Sequence, residues 1–199
     1  MDFFECIKRR TSIRRFIQDP ISLEDLTIMI DAVRIGPSAA NLQTLEYIIV
    51  NQPKICEQIF PYTAWAGYLK PSWKPDTHER PTAYIAIVNT RPSNSYIDYD
   101  VGIAMAYITL SAQALDIGSC ILYKLNRNIL KQLLIIPENF ELKALIALGR
   151  KDELVIREEG SDNVKYWRDE HQVFHVPKKS LSSILHEQTY SSLQTFSKD

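Results

Sequence analysis

The stretch DYDVGIAMAYITLSAQALDI, residues 98–117, decides the fold. Val101, Ile103, Met105, Ile108, Leu110 and Leu115, with alanines between them, place apolar side chains nearly all round a helix. A helix without a polar face is a buried central one. Asp98 and Asp100 open it, and Gly118 is expected to close it at a glycine C-cap. Working outward, Ala83–Asn89 before the helix and Ser119–Tyr123 after it read as buried strands. Leu45–Val50 and Lys143–Leu148 do too, the last ending at Gly149. A first helix starts at Asp2 with Glu5 in capping-box spacing, carries Phe3, Phe4 and Ile7 on one face, and runs into the basic Lys8-Arg9-Arg10. A second starts at Ser22 and Asp25, with Leu26, Met29, Ile30 and Val33 at helical spacing and Gly36-Pro37 as its stop. Lys54–Phe60 and Asn128–Leu134 read as short helices. Alternating helices and strands predict an α/β sandwich on one sheet.

The chain's 199 residues suit a single domain, placed here at 1–187 with a flexible tail over 188–199. The region from Pro61 to Pro81 reads as a packed irregular excursion carrying Trp65 and Trp73. After Gly149 the sequence becomes polar; Tyr166-Trp167 and Val173–Val176 suggest an anchored arm, and Leu181–His186 a last helical turn. The formal net charge of -1 argues against nucleic acid as a partner. Three widely spaced cysteines, Cys6, Cys56 and Cys120, form no disulfide or zinc pattern, and a reducing compartment follows. With no signal peptide and no long apolar run, the reading is a cytoplasmic protein that does not span a membrane.

Six glycines build neither GxGxxG nor GxxxxGK[ST], and no GxSxG occurs. His171 and His175 have the i, i+4 spacing of helical metal ligands, but their surroundings look extended and no third ligand is evident. The chemistry lies elsewhere. Arg10-Thr11-Ser12-Ile13-Arg14-Arg15-Phe16 offers several guanidinium forks and a hydroxyl within a few residues, which suits a phosphate dianion. A fixed cation also stabilises the reduced, anionic form of a flavin ring. Arg10 and Ser12 can face the phosphate while Arg14 faces the ring. Pro37-Ser38-Ala39-Ala40-Asn41-Leu42-Gln43 combines small side chains, which permit close backbone approach to a flat ring, with amides that both donate and accept. Taken singly, each segment also reads as an ordinary polar turn.

At this spacing the two segments together resemble the nitroreductase family, whose pattern is Arg-Arg-Ser-x-Arg-x-Phe followed by Pro-Ser-Ala-x-Asn-x-Gln-Pro-Trp. Thr44-Leu45 replaces the final Pro-Trp, so an aromatic flanking the ring is missing, and Trp65, Tyr68 or Trp73 is a candidate substitute. The resemblance continues through the central helix, Gly118-Ser119-Cys120 and Ile146-Ala147-Leu148-Gly149, and returns weakly at Pro177–Leu181.

The resemblance implies an α+β fold: a three-layer α/β/α sandwich with a mostly antiparallel central sheet, homodimeric, with two FMN sites at the subunit interface. The Arg10, Thr11, Ser12 and Arg14 segment would come from one chain. Pro37, Ser38, Ala39, Asn41 and Gln43 would come from the other. Backbone near Ile121 and Leu122 would border the ring, with Gly149 nearby, and Arg150 and Lys178 (or Lys179) would assist the phosphate. The implied activity is ping-pong hydride transfer from NADH or NADPH through FMN to a small conjugated electrophile, a nitroaromatic or quinone, with no catalytic side chain. The alternatives are a flavin-binding protein without turnover, a same-fold enzyme of flavin breakdown or reductive dehalogenation, and an α/β protein with no flavin.

Overall fold

The structure, a computed structural model, describes residues 2–92, 94–160 and 163–190. Most of the tail, 191–199, lies outside the described residues; Gln188 to Tyr190 carry no regular element. The chain forms two compact units, one of residues up to 67 and 71–153, the other of 68–70 and 154 onward.

In the first unit, α1 (Phe3–Arg9) is capped as its sequence predicts: the Asp2 carboxylate accepts the Phe4 and Glu5 amides at 3.2 and 3.3 Å. At α2 (Leu23–Arg34) the Ser22 hydroxyl accepts the Asp25 amide at 3.0 Å. The sheet is centred on β5 (Glu141–Lys151). One edge of β5 carries β3 (Ala83–Asn89), with β2 (Leu45–Val50) beyond it. The other edge carries β4 (Ile117–Leu122). The two-residue β1 (Phe16–Ile17) pairs with Lys151 and Arg150 past the end of β3. Every pairing between these named strands is antiparallel.

All seven residues of β3 are buried because both faces of the sheet are covered. Ala83, Ile85 and Ile87, with Ala144, Ile146 and Leu148 opposite them, pack on α2 and α4 (Ile97–Ala114). The alternate residues, Tyr84 and Ala86 among them, face the side of α3 (Pro53–Ile59), which in turn contacts α5 (Arg127–Leu133). The result is the three-layer α/β/α arrangement.

Two glycines act differently from the sequence reading. The central helix ends at Ala114, and Asp116, at φ 57°, makes the left-handed turn assigned to Gly118. Gly118 lies inside β4, and β5 runs through Gly149 instead of ending there. The two glycines are opposite one another in the ladder, so their missing side chains leave one strip of the same face open. Residues 13–16 cross that strip. A Cβ at Gly118 would stand 3.0 Å from Ile13, and one at Gly149 2.6 Å from Phe16.

The second unit holds a small sheet in which β8 (Phe174–Lys178) pairs parallel with β6 (Val155–Glu159) and antiparallel with β7 (Trp167–Arg168). His175 lies on β8, an extended strand as expected. Its ring nitrogens meet Glu158 at 2.9 Å and Asp169 at 3.2 Å, and its ring stacks on Trp167 at 4.1 Å. Among the described residues no group of three side chains is arranged to hold a metal. None of the described helices is long and apolar enough to cross a membrane.

Candidate functional site

The basic segment leaves α1 extended at Arg10, whose amide donates to the Cys6 carbonyl at 3.0 Å. It then zips onto the free edge of β4: Ser12 pairs with Ser119, and the Ile13 amide donates to the Ser119 carbonyl at 2.9 Å. Crossing the glycine strip, it meets the end of β5. There the Asp152 amide donates to the Arg15 carbonyl at 3.1 Å, and the Glu153 carboxylate accepts the Arg14 amide at 2.7 Å. Arg14 is 8% exposed, and its guanidinium donates to the Ser12 carbonyl at 3.3 Å. Burial pushes the Cys120 thiol up; the Arg14 charge opposes this and the Glu153 charge adds to it.

Cations gather where α4 ends. Lys151 Nζ is 2.8 Å from Asp116 and 3.2 Å from Gln113 Oε1. The Asp116 carboxyl is held below the usual carboxylate range, first by its bond to Lys151 and that charge, then by Arg150 and Arg9 against a small burial cost. Arg150 reaches the Leu115 carbonyl at 3.5 Å and Asp25 at 3.9 Å, both long contacts for a half-exposed guanidinium. This cluster sits three residues along the chain from the Ser12–Ser119 pairing.

The second segment follows α2. Ala40, Asn41 and Gln43 have φ of 48°, 54° and 49°. Asn tolerates the left-handed region; Ala and Gln occupy it at a cost of about 1–2 kcal/mol each. Three anchors hold the turn: Ala39 N–H to Asp100 Oδ1 at 2.9 Å, Asn41 N–H to the Ser38 carbonyl at 3.0 Å, and Gln43 N–H to Ser38 Oγ at 3.3 Å. The exposed Gln43 and Asn41 amides bond each other at 3.1 Å. Behind the turn is a cavity of about 400 Å³ lined by Pro37, Ser38, Thr44, Tyr47 and Asp100 among others. The Thr44 hydroxyl is buried without a hydrogen-bond partner among the described residues. The Tyr47 phenol is pushed up to about 12 by burial, and then by the Asp100 charge.

The structure thus gathers Arg10, Thr11, Ser12 and Arg14 with β4 and the end of β5. Ile121 is half-buried and Leu122 buried on β4. Gly149 is covered by Phe16, and makes room for the chain crossing. Lys178 and Lys179 are exposed and belong to the second unit. Of the candidate aromatics, Trp65 is 7% exposed, packs against Phe60 and donates to Thr63 Oγ1, a core role. Sequence reasoning missed Asp100, Glu153 and Lys151, whose partners lie far along the chain. The Pro37–Gln43 turn is tied to the first turn of α4, and the basic cluster to its last residues. Asp100 and Leu115 are separated by about 22 Å at 1.5 Å per residue.

Comparison with known proteins gives the same frame. The family model described as "Nitroreductase family" matches residues 7–150. An Archaeoglobus fulgidus protein named "Putative NADH dehydrogenase/NAD(P)H nitroreductase" is 31% identical over 163 residues, covering 75% of this chain and 87% of that one. An iodotyrosine deiodinase of Thermotoga neapolitana is 25% identical over 167 residues, covering 75% and 89%. Among solved structures, an FMN-dependent nitroreductase from Clostridium difficile superposes with a TM-score of 0.68 at 20% identity, covering 94% of this chain and 99% of that one, and so shares the fold. The motif segments, the layered antiparallel sheet and the match over 7–150 agree: this chain belongs to the nitroreductase family.

Proposed function

We propose that the protein is an FMN-dependent oxidoreductase that draws hydride from NADH or NADPH and delivers it to a small conjugated electrophile of nitroaromatic or quinone type. The observation that carries this reading is the placing of the segment bearing Arg10 and Ser12 on the edge of β4, three residues along the chain from Asp116, where Lys151 Nζ stands 2.8 Å from the carboxylate and the Arg150 charge also acts. That donor set fits a phosphate dianion. FMN, when bound, supplies hydride acceptance and donation at its ring. The residues here bind, orient and exclude water: Arg10, Thr11, Ser12 and Arg150 for the phosphate, Arg14 for the electron-rich edge of the ring, and the Pro37–Gln43 turn for its polar edge. The Archaeoglobus relative's name supports a nicotinamide donor, and the Clostridium difficile neighbour's name supports FMN.

The site takes its two halves from two chains of a homodimer. The anchors at opposite ends of α4 keep them apart within one chain. An apolar stripe on α4, Tyr99, Gly102, Ile103, Ala106, Tyr107 and Leu110, is exposed or half-buried at helical spacing, with Tyr99 70% exposed. A second copy would cover it. Titrating flavin-free protein with FMN and with riboflavin tests the phosphate cluster: FMN binds at least about tenfold tighter if two or more charge-assisted contacts form. Equal affinities would refute it. Oxidation of NADH and NADPH with an added nitro compound or quinone tests turnover. The Thermotoga relative favours a second reading, reductive dehalogenation of an aromatic substrate at the same flavin; halide release without nitro or quinone reduction would select it.

A further inference from the structure

The ladder between β1 and β5 runs out at a specific point. Phe16 pairs with Lys151, and the Asp152 amide still finds the Arg15 carbonyl at 3.1 Å. The Arg14 amide comes next. At that point the Glu153 side chain takes the acceptor's place, its carboxylate 2.7 Å from the amide. A carboxylate is a stronger acceptor than a carbonyl, and it brings a negative charge to a half-buried place. The Arg14 side chain is itself buried, and the charges of Arg14 and Glu153 both act on the buried Cys120 thiol of β4. A guanidinium keeps its charge when buried, so a nearby carboxylate lowers the cost of taking it out of water.

We propose that Glu153 is a positioning residue for Arg14: its carboxylate fixes the backbone that aims the arginine and lowers the positive potential that the segment presents to the flavin. This rests on the FMN reading above. The two parts separate in two substitutions. Glu153→Gln keeps an acceptor for the Arg14 amide and removes the charge. Glu153→Ala removes both.

The measurements are dissociation constants for oxidised FMN, the midpoint potential of the bound flavin, and the melting temperature of flavin-free protein. In Glu153→Gln, oxidised FMN binds within about twofold of wild type. The reduced form binds about tenfold tighter, which raises the potential of this two-electron couple by about 30 mV. In Glu153→Ala, oxidised FMN binding weakens about tenfold, the loss of one charge-assisted bond. An unchanged potential in Glu153→Gln overturns the proposal, including where both variants merely melt earlier. Unchanged FMN affinity in Glu153→Ala overturns it as well. Wild-type protein that takes up no FMN refutes the underlying reading directly, a result visible before any variant is made.

Discussion

The two halves of the candidate site are built in opposite ways. Arg10–Phe16 is clamped: an edge pairing to β4, a crossing over two facing glycines, and the Asp152–Glu153 grip at the end of β5 leave Ile13, Arg14 and Phe16 buried. Pro37–Gln43 is held mainly through its backbone, with three residues in the left-handed region and the Asn41 and Gln43 side chains exposed. The first is part of the core. The second stores strain at an exposed place, the usual sign of a segment shaped for contact rather than stability. The contrast teaches that the charged half of the site is inseparable from folding, whereas the amide half can be altered with the fold intact.

Gly149→Val attacks the clamped half where it is tightest. The added Cβ would stand 2.6–2.7 Å from Phe16, including its own Cβ, so the crossing chain must move. A loss of about 3 kcal/mol or more is expected; thermal unfolding of the variant at its wild-type melting temperature would disprove the crossing. Asp100→Ala attacks the other half by freeing the Ala39 amide. It should cost about 1.5–3 kcal/mol, the worth of a hydrogen bond to a charged group. Because α4 and the sheet keep their contacts, the variant should still unfold cooperatively while binding FMN less well. Arg10→Ala lies at the clamped segment's entrance. FMN affinity should fall about ten- to a hundredfold, with activity recovering at saturating FMN; flavin titration and kinetics at several FMN concentrations check this.

Smaller effects sharpen the contrast. Ala40→Gly removes the side chain from a residue at φ 48°. Relief of about 1 kcal/mol, reduced by glycine's greater unfolded-state freedom, should leave the melting temperature level or slightly raised. A clear destabilisation would show that the turn carries less strain than its backbone indicates. The smallest effect is electrostatic. The Asp116 carboxyl titrates below its ordinary value, so it contributes stability above about pH 5 that is lost as pH falls through the lowered native value. Asp116 is largely exposed, so the contribution is small. Lys151→Met should flatten that part of the stability–pH curve, measured by denaturant unfolding between pH 3 and pH 6.

Much of this was legible in the sequence because it is local. The apolar surround of α4, the run of β3 and the caps at Asp2 and Ser22 depend on neighbours within a few residues. The two motif segments were legible as types of chemistry. What escaped is long-range. Glu153 meets Arg14 139 residues away, and Asp100 meets Ala39 61 residues away; no spacing rule joins them. Gly118 looked like a helix stop because glycine commonly ends helices, yet Asp116 takes that conformation, and the pairing with Gly149 supplies the reason for glycine. β6 was hidden because its sequence, Val155-Ile156-Arg157-Glu158-Glu159, shows no sustained alternation, and its partner β8 lies parallel to it.

The central claim is that one FMN binds per chain at sites shared by two chains. Size-exclusion chromatography with light scattering and absorption detection, on protein supplied with FMN and freed of excess, tests it most directly. The account predicts a dimer carrying the absorption of oxidised flavin at one FMN per chain, all released as FMN on denaturation. A stable monomer that holds FMN, or a dimer that takes up none, would contradict it.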